Sequence, residues 1–152
     1  MTTMAAVDRF LSRKRLALAG ASRSGRKFGN TVLKTLTAQG YDIAVVHPQA
    51  DTIDGHRCYA TLTDLPPGIG GLVLVTPPGR TEEILHDAVA AGIEQVWMQQ
   101  GADSPAAVEF CRRQGIEEIH GECILMFAEP RGIHRVHRWL WGLFGKLPRG
   151  DS

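Results

Sequence analysis

Residues 16–30, LALAGASRSGRKFGN, constrain the fold more than any other stretch of this chain. Leu16, Ala17, Leu18, Ala19 and Gly20 form a continuous apolar run. That is the pattern of a short strand covered on both faces, not of one alternating between core and water. The run gives way to Gly20-Ala21-Ser22, whose small side chains let a ligand approach the backbone closely. Arg23, Ser24, Gly25, Arg26 and Lys27 follow as a polar, cationic loop, and Gly29-Asn30 opens a helical pattern through Val32, Leu33 and Leu36 that ends at Gly40. In that order, free backbone N–H groups and the positive end of a helix converge on one point. The result is an anion site suited to phosphate or pyrophosphate.

The rest of the chain repeats the alternation. Residues 42–46 (DIAVV) read as a second buried strand closing in His47-Pro48, residues 56–60 as a short extended segment, and residues 64–67 as a turn. Residues 72–75 (LVLV) form a third strand, followed by Thr76-Pro77-Pro78-Gly79. A loop held by two prolines after a strand C-terminus is either a strand terminator or a flat surface for a purine, in the row where open α/β sheets bind ligands. Helices are expected over residues 81–91 and 104–115, the second with serine at the cap and proline at the first position. Strands are expected at 94–98 and 116–120, and an amphipathic helix at 4–11 leads to Arg13-Lys14-Arg15. That basic triplet reads as a solvated hinge, or else as added positive potential near the loop. Strands and helices alternating at this spacing predict an α/β fold: a Rossmann-like, doubly wound, mainly parallel sheet.

Charge is unevenly spread. Residues 1–35 carry eight Lys/Arg and one acid, residues 36–130 four against fourteen, and residues 131–152 five against one. Positive potential thus gathers at the phosphate loop and in the tail, as a small polyanion requires, while the acidic middle argues against nucleic acid. The second strand ends in His47, Pro48 and Gln49, without the acid that holds the ribose hydroxyls in NAD sites. A neutral or cationic strand end suits a ribose that carries a phosphate.

Three cysteines (Cys58, Cys111, Cys123) lack paired spacing, the N-terminus lacks a signal-peptide core, and no apolar run reaches membrane-span length. These features point to a reduced, cytoplasmic protein. In the tail, Ile133, Val136, Leu140 and Leu143 share one helical face, widened by Trp139, Trp141 and Phe144. Such a helix packs on its own domain, contacts a second copy or a partner protein through residues 130–148, or lies on a membrane surface. His134 and His137 lack an evident third ligand, so no metal site is expected.

Taken together, Gly20-Ala21-Ser22, Lys27, Gly29-Asn30, Pro48, Thr76-Pro77-Pro78, Trp97 with Gln100-Gly101, and Cys123 resemble the small CoA-binding proteins. These are stand-alone Rossmann-like domains similar to the N-terminal part of the succinyl-CoA synthetase α subunit and of ADP-forming acyl-CoA synthetases. The resemblance covers residues 12–126, with an N-terminal helix at 1–11 and a basic, aromatic helix and tail at 127–152. It implies coenzyme A or an acyl-CoA as ligand. Gly20, Ala21, Ser22 and Lys27 would line its phosphates, with Arg26 and Asn30 beside them. Pro48 with His47 would flank the adenosine, Thr76, Pro77 and Pro78 would cover the adenine, and Gln100 and Gly101 would edge the pantetheine channel. The family usually has asparagine where this chain has His47.

Ligation in the longer synthetases needs a phosphohistidine and a nucleotide-activating domain, and neither belongs to the resembling region. No catalytic residue is therefore expected: His47, His56, His86 and His120 are scattered and no nucleophile motif appears. Glu122-Cys123 is a buried thiol beside an acid, or a thiol placed to meet the CoA sulfur. The expectation is a CoA-binding module. The alternatives are an NAD(P)-dependent oxidoreductase or redox sensor, and an interaction subunit of an acyl-CoA ligase.

Overall fold

The run at residues 16–19 does what its pattern requires. In the computed structural model, which describes residues 3–128, strand β1 (Arg15–Ala19) is buried on both faces from Leu16 onward. Leu16 and Leu18 point into one core, Ala17 and Ala19 into the other, following the two-residue period of a strand. Around it lie β2 (Asp42–Val46), β3 (Thr52–Ile53), β4 (His56–Tyr59), β5 (Gly71–Leu74), β6 (Gln95–Met98) and β7 (Glu117–Ile119). The sheet order is β3-β4-β2-β1-β5-β6-β7. Every pairing is parallel except the short β3–β4 hairpin, which the sequence pattern did not reveal.

Helices cover both faces, as a parallel sheet demands. One face holds α1 (Met4–Leu11), α2 (Phe28–Ala38) and the short α5 (Leu125–Ala128); the other holds α3 (Pro78–Ala90) and α4 (Pro105–Gln114). Helix α1 is capped by Thr3, whose Oγ1 accepts from Ala6 N at 3.1 Å. It sends Phe10 edge-on against Trp97 on β6, ring centroids 5.6 Å apart, and Gly71 leaves the room that Phe10 fills.

Two expectations are corrected here. Helix α3 begins at Pro78, a full turn before residue 81, because Pro77 sits at the cap and Pro78 at the first helical position, where proline's fixed φ suits the helix. Arg13-Lys14-Arg15 is exposed, as a solvated segment would be, but it does not add potential beside the phosphate loop. Arg13 bonds Gln95, Lys14 lies over the Tyr41 ring and Arg15 pairs with Asp42, all at the N-terminal edge of the sheet. The expected tail helix, its partner surface at 130–148, and His134 and His137 lie outside the described residues.

The strand order reverses between β1 and β5, which run parallel, and there the backbone packs without side chains. Gly20 turns with φ +117°, and a Cβ on it would stand 2.1 Å from Val75 O. A Cβ on Gly29 would stand 2.3 Å from Gly20 O, so the first turn of α2 rests directly on the loop after β1. Gly29→Ala is expected to lower unfolding stability by about 1–3 kcal/mol through forced separation of these backbones. An unchanged denaturation midpoint would contradict that close seating.

Candidate functional site

The C-terminal ends of β1, β2 and β5 open into a cleft of about 810 Å³ at the switch point, the place where open parallel sheets hold ligands. Ala19, Gly20 and Ala21 form its floor by position, with Val46, His47 and Pro48 following β2 and Val75, Thr76 and Pro77 following β5. Lys27, Phe28 and Gly29 enter from the start of α2, and Arg80, Ile84 and Asp87 from α3.

Two helices begin on this cleft. The cap of α2 is Lys27 and that of α3 is Pro77, and neither supplies a side-chain oxygen to the first turn. Contrast Thr3 and Ser104, whose hydroxyls accept from the N–H groups of α1 and α4. At the cleft, then, the N–H groups of Phe28 and Gly29 in α2 and of Gly79 and Arg80 in α3, with the positive ends of two helix dipoles, have no side-chain cap. Lys27 and Arg80 add charge to the same space.

The loop between β1 and α2 is held from inside. Asn30 is buried; its Oδ1 accepts from Ser22 N at 2.9 Å, and its Nδ2 donates to Ser22 O at 2.9 Å and to Asp54 Oδ2 at 3.0 Å. Gly25 N donates to Ser22 O at 3.1 Å, closing a turn that Ser22 and Ser24 hydroxyls brace. His47 does comparable work after β2. Its Nδ1 accepts from Gln49 N at 3.1 Å and Ala50 N at 2.9 Å, as an asparagine oxygen does in such a turn. Burial, and then the Arg23 charge, lower its pKa, which fits a neutral ring with its proton on Nε2.

The sequence-derived candidates divide accordingly. Gly20, Ala21, Lys27, His47, Pro48, Thr76 and Pro77 line the cleft together. Ser22, Arg26, Asn30, Pro78, Gln100 and Gly101 do not. Asn30 fixes the loop and has no amide group left over, and Pro78 is the first residue of α3 behind Pro77. Gln100 and Gly101 are exposed beyond β6, whereas neighbouring Gln99 is buried and accepts from Ile124 N. Phe28, Arg80, Ile84 and Asp87 are lining residues that the sequence reading missed. Proline at the first position of α3 was the available signal for Arg80, since a helix starting at residue 78 brings residue 80 into its first turn. Phe28 carried none: a half-exposed aromatic at a helix start looks like any surface residue.

Glu122 and Cys123 stand apart from the cleft lining. Trp97 Nε1 donates to Glu122 O at 3.1 Å, and the Glu122 Oε2 is buried without a hydrogen-bond partner. Burial pushes this carboxyl up from 4.5 to about 7, with His120 opposing. Cys111, buried under α4, is pushed to about 12 by burial and by Glu118. Among the described residues no helix is long and apolar enough to cross a membrane.

The sequence profile of the CoA binding domain family matches residues 14–129. An ADP-forming acetate–CoA ligase I of Archaeoglobus fulgidus is 22% identical over 130 residues, covering 79% of this chain and 19% of the ligase. The chain thus spans about a fifth of the length of that curated relative. A solved structure of a conserved hypothetical protein from Pyrococcus furiosus is 36% identical with a TM-score of 0.70, covering 73% of this chain and 96% of that one. A hypothetical protein from Pyrococcus horikoshii is 28% identical with a TM-score of 0.75, covering 93% and 94%.

The Glu122 carboxyl generates a prediction for stability. A folded pKa of about 7 against an ordinary 4.5 means that the folded protein holds a proton the unfolded chain has released. Stability contributed by the protonated form is therefore complete below about 4.5 and lost as pH rises to about 7. Glu122→Gln is expected to flatten unfolding midpoints measured between pH 5 and 8. A variant with the wild-type pH dependence would remove Glu122 as its source.

Proposed function

Because this chain belongs to the CoA-binding domain family, we propose that it binds coenzyme A, or an acyl-CoA, in the cleft at the switch point. It acts there as a binding module without chemistry of its own. The observation that carries this reading is the convergence of two uncapped helix N-termini with Lys27 and Arg80 on one cleft. A diphosphate bridge placed there meets N–H donors from two helices and the cations Lys27 and Arg80, with no capping acceptor side chain to displace. The glycine contacts at 20 and 29 keep that approach open to phosphate oxygens.

The less polar lining suits the remainder of such a ligand. Phe28, Ile84, Leu62 and Pro77 offer an aromatic ring and aliphatic surface to an adenine and to the start of a pantetheine arm. At the end of β2, His47 stands where an NAD site would carry an acid, which argues for a phosphorylated ribose over free hydroxyls. The three cysteines are free, in keeping with a cytoplasmic setting. A second reading, a detached part that works with a larger ligase, draws on the match to about a fifth of an acetate–CoA ligase. It uses the same cleft.

Calorimetric titration with CoA and with NADPH tests the proposal. Micromolar CoA binding with NADPH at least about tenfold weaker is expected, and Lys27→Ala is expected to weaken CoA by about 1–2 kcal/mol through loss of a phosphate contact. NADPH binding with CoA silent would overturn the proposal in favour of a redox enzyme. Silence of both ligands would leave the interaction subunit as the better account.

A further inference from the structure

Arg23 is a cation of the loop that the cleft lining does not include, and its surroundings single it out. It is exposed, it forms no ion pair among the described residues, and its Nη2 donates to Gln49 Oε1 at 3.3 Å. Gln49 belongs to the turn after β2 whose N–H groups His47 Nδ1 accepts. Arg23 and His47 therefore meet on one short turn, although 24 positions separate them in the chain. The imidazole feels the guanidinium: its charge adds to burial in keeping His47 neutral. With Nδ1 engaged as an acceptor, Nε2–H is the ring's remaining donor, and the ring lines the cleft.

The tether also matters. Gln49 orients Arg23 without cancelling its charge, and a single bond of 3.3 Å to a neutral amide oxygen is long and readily exchanged for one to an anion. The other cations of the site are placed differently. Lys27 stands at the start of α2, where a diphosphate is expected, and Arg80 is held by Glu83 at 2.7 Å. Arg26 of the same loop is exposed and makes no bond to the turn after β2, whereas Arg23 is tied to it, beside the strand end where open parallel sheets place an adenosine ribose and where an arginine accommodates a ribose phosphate.

We propose that Arg23 and His47 form a subsite for the 3′-phosphate on the ribose of CoA, with Arg23 as the residue that sets specificity for that group. The inference rests on the CoA reading of the cleft and adds to it which residues distinguish CoA from ligands lacking the phosphate. The guanidinium takes the phosphate in a two-pronged pair while His47 Nε2–H donates to a phosphate or ribose oxygen.

Titration of wild type, Arg23→Gln and His47→Asn with CoA and with dephospho-CoA tests it. Wild type is expected to favour CoA by about tenfold or more. Arg23→Gln is expected to erase most of that preference while dephospho-CoA affinity stays put. His47→Asn keeps an acceptor for the turn and loses the Nε2 donor, so it is expected to reduce the preference by a smaller factor. A wild-type protein that binds CoA and dephospho-CoA equally, or an Arg23→Gln variant that keeps the preference, would overturn this proposal alone. Failure of folded wild type to bind CoA would overturn the reading beneath it as well.

Discussion

The close contact of Gly29 with the Gly20 carbonyl is the constraint on which the rest of the structure depends. It seats the first turn of α2 directly over the end of β1, and the Gly20–Val75 contact seats that loop against the end of β5 in the same way. No side chain intervenes at either place. The two contacts bring two helix starts to one side of a cleft whose strands run parallel and diverge in order from β1. A side chain at Gly29 would push α2 off the loop, and one at Gly20 would push the loop off Val75 after β5, and either would spread the N–H groups that converge on the cleft.

Rigidity around this contact comes from buried polar groups rather than from more apolar surface. Asn30, itself buried, makes two bonds to Ser22 in the loop and a third to Asp54 from beyond it, and breaking them would leave its buried amide unsatisfied. His47 fixes the neighbouring turn through two backbone N–H groups. Thr76 and Thr81 hydroxyls, 2.6 Å apart, brace the third side, where β5 passes into α3. The N–H groups at the starts of α2 and α3 are thus held in place before any ligand arrives, which reduces the ordering cost of the proposed binding.

Much of this was legible in the sequence. Continuous apolar runs at 16–19, 43–46 and 72–75 announced buried parallel strands, and the small-residue turn with its basic loop suggested the anion site that the proposed function takes up. What was not legible has physical causes. The β3–β4 hairpin is too short and too polar to stand out from a loop. Asn30 read as a ligand contact because its position was right, but whether an amide faces inward or outward is decided by Asp54, which approaches from 24 residues away. Arg80 was hidden by a helix start placed one turn late, and Arg23 by a partner, Gln49, from another loop. His47, a departure from the family pattern, is explained by its Nδ1, which supplies the acceptor that an asparagine would.

The central claim is about place: CoA phosphates sit between the starts of α2 and α3. Backbone amide shifts by NMR on adding CoA test it most directly. The account predicts large changes at Ala21, Phe28, Gly29 and Gly79, with His86 and Phe110 on the outer face of α3 and α4 unmoved. Changes confined to that outer face, with the first turn of α2 silent, would contradict it.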